Sequence, residues 1–378
     1  MRATVCFVVG ARPNFMKAAP VHRALRAHDP ELELVLVHTG QHYDAEMSQV
    51  FLDQLGLPRP DVFLGVGSGT HAEQTAAALV GIERVLLETA PDLVVVPGDV
   101  NSTLAGALAA AKLAIPVAHL EAGLRSFDRR MPEEHNRVLT DHLAALLLTH
   151  SADALDNLAR EGIDLRTVHL VGNTMIDSLV AHADAARAAT PWAALGVEPG
   201  RYGLVTLHRP ALVDDPELLR ETVAGLAELA TEAPLVFPVH PRTRERLRAG
   251  GYDDALERSG VRVTPPLGYL EFLGLEAEAR FVLTDSGGVQ EETSALGVRC
   301  FTLRDSTERP ITVELGTNTV LGAKPDRMRD IPRLLSEPRP TQEIPLWDGE
   351  AGQRAAAVLA AFVDSRAGTT ASVTTAVS

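Results

Sequence analysis

The sequence predicts an α/β protein made of two doubly wound, Rossmann-like domains. Short runs of nearly unbroken valine and leucine alternate with longer amphipathic segments along almost the whole chain. That is the pattern of a parallel sheet covered by helices on both faces. The alternation pauses once, in the Pro/Gly-rich stretch TPWAALGVEPGRYG from Thr190 to Gly203, and then restarts. A chain of 378 residues is too long for one ordinary domain and suits two.

In the first half the predicted strands are ATVCFVVG, LELVLVHTG, DLVVVPGD, IPVAHLEA, ALLLTHS and VHLVGN. Between them lie helical segments such as AEQTAAALVGIERVLLETA and STLAGALAAAKLA, with apolar residues at helical spacing. After the pause come YGLVTLH, LVFPVH, VRVTPPL, RFVLTDSGG, RCFTLR and TNTVLG. The first domain is expected at residues 1–171 and the second at 172–350, opening with the helix IDSLVAHADAARAA. A last helix at 351–365 is expected to pack back on the first domain, and the small, polar tail 366–378 to fray.

Composition narrows the function. Apolar residues make up 46% and charged residues 22%, an ordinary globular mixture. A net charge of −15 argues against nucleic-acid or acidic-membrane partners, while allowing a local cationic pocket for a small anion. Lysines occur only at Lys17, Lys112 and Lys324, so Lys17 near the first strand stands out. Cys6 and Cys300 each sit inside an apolar run and read as buried, unpaired thiols of a reducing compartment. No Cys or His/Cys spacing suggests a metal. The N-terminal apolar run is too short for a signal peptide and no stretch is long enough to span a membrane, so a cytoplasmic location is expected.

In open parallel sheets, ligands collect at the carboxyl ends of strands. Here those ends read GARPNFMK, GDVNST, HLEAGLRS, LHRP, HPRT, DSGGVQEE and RDSTERP, nearly all carrying charge. In TDSGGVQEE, the glycines and the start of a helix suit an anion, with Ser286 adding a hydroxyl and Glu292 able to accept from ribose hydroxyls. A tight turn capped by Asp285 or Ser286 explains the same residues. Arg12 and Lys17 fall at the start of a helix opened by Pro13, where cations call for a compensating anion. Asp99 follows Gly98 at a strand end and could equally cap the next helix. His208 and His240 end corresponding strands. Glu133 and Glu134 sit in the first turn of a helix opened by Pro132, where the dipole favours carboxylates. That accounts for one of the two glutamates and leaves Glu121 unexplained.

Taken in order, GARPNFMK, GDVNST, HLEAGLRS, PEEHNR, TLHRP, PVHP, DSGGVQEE and STERP resemble the non-hydrolysing UDP-N-acetylglucosamine 2-epimerases, from Val8 to Gly322. The resemblance implies a GT-B-like pair of domains with the active site in the cleft between them. It places Asp99, Glu121, Glu133 and His208 on catalytic positions. Arg12, Ser286, Gly287 and Gly288 fall where the diphosphate is held, Glu292 on the ribose contact, and the backbone near Phe272 on the uracil contact. Lys17, Arg209, His240, Arg304 and Arg309 lie on matching substrate-binding motifs, and Gln41 and His42 on a second, activating site of some members. The family's partners are UDP-N-acetylglucosamine and UDP, in a homodimer, with no cofactor and no metal. Three departures are Asn14, where many members have a carboxylate, Pro210-Ala211, where many continue the His-Arg motif with Glu-Asn, and the segment GVGSGTHAEQ, which differs from the form that accompanies the activating site.

The chemistry fits such a site. Inverting C2 of an amino sugar by expelling UDP needs donors for the leaving diphosphate, carboxylates near the developing charge at C1 and acid/base groups for both faces of C2. A hydrolysing relative that releases N-acetylmannosamine, a GT-B glycosyltransferase and a non-catalytic UDP-sugar sensor share parts of this pattern.

Overall fold

The computed structural model describes residues 3–40, 55–338 and 342–375, with backbone alone for 367–375. Gln41 and His42 lie outside the described residues. The chain divides into two compact units, residues 1–178 with 345–378, and residues 179–344.

The first unit holds a seven-stranded parallel sheet in the order β3-β2-β1-β4-β5-β6-β7. Its strands are β1 Thr4–Val9, β2 Glu33–His38, β3 Val62–Phe63, β4 Leu93–Pro97, β5 Val117–Ala122, β6 Leu146–Thr149 and β7 Val168–Leu170. The two-residue β3 was not anticipated, because a run that short has no periodicity to read. Central β1 pairs with β2 on one side and β4 on the other, and every residue from Thr4 to Val9 is buried. Helices His71–Thr89 and Asn101–Lys112 pack against each other over Cys6, Val8, Val94 and Val96. The Cys6 thiol is pushed up to about 12 by burial first and then by the charge of Asp61, and Cys300 in the second unit is a buried thiol outside any disulfide.

The first unit also takes in the start of helix Thr174–Ala188, a helix that the sequence reading gave wholly to the second half. Asp177 explains why: its carboxylate accepts the N–H groups of Ala351 and Gly352, at 3.1 and 2.6 Å, and so caps the last helix. That helix packs on helix Arg12–His28, with Gly352 against Pro20, where a Cβ would come within 2.7 Å. It runs from Ala351 to Thr375, well past residue 365. A helix anchored at one end extends at the gain of one hydrogen bond per residue, which carries it into a stretch whose composition argued for fraying.

The second unit holds a six-stranded parallel sheet in the order β10-β9-β8-β11-β12-β13. Its strands are β8 Gly203–Thr206, β9 Leu235–Pro238, β10 Val261–Thr264, β11 Phe281–Thr284, β12 Arg299–Thr302 and β13 Asn318–Val320. Two apolar layers flank this sheet, one around Phe237, Leu283 and Phe301 and the other around Tyr202, Leu204 and Val282. In both units the strand order reverses beside the first strand. The switch points are β1/β4 and β8/β11, and ligands of such sheets bind at these positions.

Candidate active site

In the first unit the carboxyl ends of β1, β4 and β5 carry a buried charge cluster. Asn14, on helix Arg12–His28, joins the first two ends. Its Oδ1 accepts the N–H groups of Gly10 and Ala11, at 3.1 and 3.2 Å, and its Nδ2 donates to the Pro97 carbonyl at 2.8 Å. An ionised carboxylate has no proton to donate to Pro97, which is a local reason for asparagine here. One turn on, Lys17 Nζ donates to Glu121 Oε1 at 2.7 Å, with both side chains about 5% exposed. The anion that Lys17 called for is therefore Glu121, from within the protein. Gly98 passes beneath Lys17 with φ +66°, and a Cβ there would stand 3.0 Å from Nζ.

Glu121 itself has φ +75°, in the left-handed region that β-strand residues avoid. The register of β5 against β6 shifts between Leu120 and Ala122. This local irregularity re-aims Glu121 out of the strand pattern. Asp99 does not cap the helix that follows it: the N-cap is Val100. Asp99 Oδ2 instead takes Nε and Nη2 of Arg137, at 3.0 and 2.5 Å. Arg137 Nη1 donates to Glu134 at 2.8 Å. Glu134 also accepts from Ser126 N, Ser126 Oγ and Phe127 N, each within 2.9 Å. Of the two adjacent glutamates, Glu134 thus holds the loop, while the half-buried Glu133 takes no part in this network. Arg12 is half-buried at the start of its helix.

In the second unit Asp285 organises the switch point. It is fully buried at the end of β11, and its Oδ2 accepts the backbone N–H groups of His208 and Arg209, both at 2.8 Å. Its Oδ1 lies 2.9 Å from His208 Nδ1. Burial alone would raise this carboxyl; His208 and the backbone donors outweigh it and hold Asp285 below the ordinary carboxylate range. The pairing puts the proton on Nδ1 of His208 and leaves Nε2 for a ligand. Arg209 Nε donates to the Asp285 carbonyl at 2.9 Å. The His240 ring caps helix Pro241–Ala249 and lies 5.7 Å from the His208 ring, so the two strand-end histidines do come together.

Ser286 occupies the N-cap position of helix Gly287–Leu296 without a side-chain capping bond, and Asp285 is turned inward to β8. Gly287 has an internal reason to be glycine. A Cβ there would run into Arg309 Nη1 and come within 2.6 Å of Glu308 Oε1. Arg304 Nη2 donates to Glu308 at 2.6 Å, and Arg309 pairs with Glu308 and, at 2.8 Å, with Glu291. Both arginines expected at substrate are thus already matched by carboxylates. Gly288 is half-buried in the first turn of the same helix. Phe272 packs on the Tyr202 and Leu204 layer, and its N–H bonds the Gly268 carbonyl at 2.9 Å. Glu292 is buried on the same helix as the two glycines.

The sequence reading missed Glu276, on helix Tyr269–Ala277. It is fully buried, and burial first, then the neighbouring Glu292 carboxylate, push its carboxyl well above its ordinary 4.5. Folded Glu276 keeps its proton while the unfolded chain loses it, so this residue makes stability fall as pH rises above about 4.5. Glu276→Gln should therefore be more stable than the wild type at pH near 8, with the gap closing towards pH 4. Urea unfolding at several pH values checks this, and a gap that does not change with pH contradicts it.

Asp285→Asn tests the second cluster. The amide has a single acceptor oxygen where two now serve Nδ1–H of His208 and the two backbone N–H groups, so kcat is expected to fall on the order of 10²-fold or more. The depressed carboxyl contributes stability that is present above its unfolded value and lost as pH falls towards its folded one. The wild type should accordingly lose its advantage over this variant in acid, as read by unfolding midpoints against pH.

Two doubly wound sheets, each with its charged residues gathered at a switch point, define a two-domain enzyme of the GT-B-like class. The chain belongs to the UDP-N-acetylglucosamine 2-epimerase family, whose sequence profile matches residues 23–360. It is 43% identical over 358 residues to the UDP-N-acetylglucosamine 2-epimerase of Methanocaldococcus jannaschii, covering 93% of this chain and 97% of that protein. The crystal structure of the M. jannaschii enzyme in complex with UDP-GlcNAc and UDP matches with a TM-score of 0.87 over 94% of this chain and 99% of that one. The Neisseria meningitidis UDP-GlcNAc 2-epimerase bound to UDP-GlcNAc is 30% identical, with a TM-score of 0.86 over 94% and 99% of the two chains. The UDP-2,3-diacetamido-2,3-dideoxy-D-glucuronate 2-epimerase of Pseudomonas aeruginosa is 45% identical over 326 residues, 84% of this chain and 88% of that protein. Among the described residues no helix is long and apolar enough to cross a membrane.

Proposed function

We propose that this protein interconverts UDP-N-acetylglucosamine and UDP-N-acetylmannosamine. The C1–O bond breaks with its electron pair leaving on UDP, the C2 proton passes to a carboxylate, and a C1=C2 bond forms in a 2-acetamidoglucal. Re-addition of UDP at C1, with a proton delivered to the other face of C2, gives the epimer. The steps are redox-neutral and call for no cofactor. Ser286, Gly287, Gly288 and Arg12 serve the diphosphate, His208 touches sugar or phosphate as a catalytic group, and Glu292 and the backbone near Phe272 serve the nucleoside. Asp99, Glu121 and Glu133 share the work at the sugar. The reading includes a homodimer and a cytoplasmic setting.

The observation that supports this most is Glu121: its positive φ and its buried pairing with Lys17 hold a carboxylate at the end of β5, where the motif resemblance implies the sugar-side role. The experiment is incubation with UDP-N-acetylglucosamine in D₂O, followed by NMR of the anomeric region. UDP-N-acetylmannosamine carrying deuterium at C2 is expected. Retention of the original hydrogen at C2 overturns the mechanism, and release of free UDP with N-acetylmannosamine makes the enzyme a hydrolysing one.

The P. aeruginosa relative favours a second reading, in which the hexose carries an acetamido group at C3 and a carboxylate at C6. The same assay with UDP-2,3-diacetamido-2,3-dideoxy-D-glucuronate separates the two by kcat/KM.

A further inference from the structure

We propose that His119 is a positioning residue that fixes the spacing of Asp99 and Glu121 by holding the Gly98 carbonyl. This rests on the reading above, in which those two carboxylates act on the sugar.

His119 lies on β5, two residues before Glu121, and is fully buried. Its Nε2 is 2.7 Å from the Gly98 carbonyl oxygen, and its Nδ1 is 2.6 Å from Asp141 Oδ1. A carbonyl can only accept, and a carboxylate only accepts, so both ring nitrogens donate. Asp141 belongs to helix Pro132–Leu143. Its second oxygen takes the Gly123 N–H at 3.1 Å and Arg125 Nη1 at 2.7 Å, and Arg125 continues to Glu161 with two bonds of 2.7 Å. Burial would raise Asp141; His119 and Arg125 outweigh it and keep it an acceptor, below the ordinary carboxylate range.

The consequence is mechanical. Gly98 immediately precedes Asp99 and has φ +66°. Its N–H bonds the Leu120 carbonyl at 2.9 Å, and its C=O takes the His119 proton. The peptide that aims Asp99 is thus clamped to β5 from both sides, on the strand that carries Glu121. The far side of the ring fastens to Asp141, which also holds the turn after Glu121 through Gly123. A proton-transfer pair misplaced by about 1 Å can lose on the order of 10²-fold in rate, so the clamp bears on kcat and much less on nucleotide binding.

Two amide substitutions separate the ring's bonds. Glutamine places its N–H₂ near the Nε2 position and can keep the Gly98 bond. Asparagine places its N–H₂ near Nδ1 and keeps only the Asp141 bond. His119→Asn is expected to lower kcat on the order of 10²-fold with KM for UDP-N-acetylglucosamine little changed, whereas His119→Gln stays within about 10-fold of wild type. Equal losses in the two variants, or losses that simply follow their thermal midpoints, overturn the proposal, as does full activity in both. If His119→Asn does not fold, the wild-type protein labelled with ¹⁵N-histidine still decides: two slowly exchanging ring N–H protons are expected for His119, and a ring with a single N–H overturns the clamp. Failure of the functional reading looks different, because then the wild type shows no exchange at C2 and Glu121→Gln changes nothing.

Discussion

Glu121→Gln is expected to lower kcat on the order of 10²–10⁴-fold, the usual range for a lost general acid or base, while UDP still binds. Glutamine has the shape of glutamate, and its carbonyl oxygen can still accept the Lys17 proton now bonded at 2.7 Å. The fold around β5 should therefore persist. What the amide cannot do is take up the C2 proton or stabilise charge at C1. Steady-state kinetics, UDP titration calorimetry and C2 deuterium exchange together check this. Wild-type kcat with normal exchange would remove Glu121 from the proton path and shift that role to Asp99 or Glu133. Because the proposal gives the same proton traffic to three carboxylates, a partial loss shared between variants is best described by the set's apparent values and not by one residue.

Arg137→Met should produce the largest loss of stability. Arg137 is 2% exposed and lies between Asp99 and Glu134. Methionine replaces its volume but leaves one buried and one largely buried carboxylate without their cation. Breaking a buried pair in this way costs about 3–5 kcal/mol. For a unit of this size that corresponds to a fall in Tm of roughly 6–20 °C. Glu134 keeps its bonds from Ser126 and Phe127, so the loop should stay ordered at low temperature. Differential scanning calorimetry checks the prediction, and a change below about 1 kcal/mol would mean that solvent already screens the pair.

The two halves of the site differ in how far they could be read in advance. The strand ends could be read, because a parallel sheet forces its ligands to the carboxyl edge and the charged residues follow each Val/Leu run directly. The surplus at Glu121 could also be read, since helix capping accounts for a glutamate at 133 or 134 and for none at 121. Which of the pair serves the loop could not, because it depends on where Ser126 and Phe127 return to the helix. For Asp285 the sequence suggests only a cap. Its bond to the His208 N–H spans 77 residues, and no local pattern marks it. Arg304 and Arg309 come to the substrate from the motif resemblance alone, and the glutamates that pair with them, Glu308 and Glu291, give no sign of their direction in the sequence. Glu276 was invisible for a related reason: a glutamate in LEFLGLEAEA reads as solvated until the helix beside it is known.

By itself the sequence determined two parallel sheets, the edge of each at which chemistry collects, and the family to which the chain belongs, because hydrophobic period and strand-end composition are local properties. Only the tertiary structure decided which charges pair with one another. Strand order reverses at β1/β4 and β8/β11, and that reversal brings together residues far apart in the chain. A buried charge takes whatever counter-charge the fold delivers to it, so its role is fixed by neighbours that the chain alone does not name.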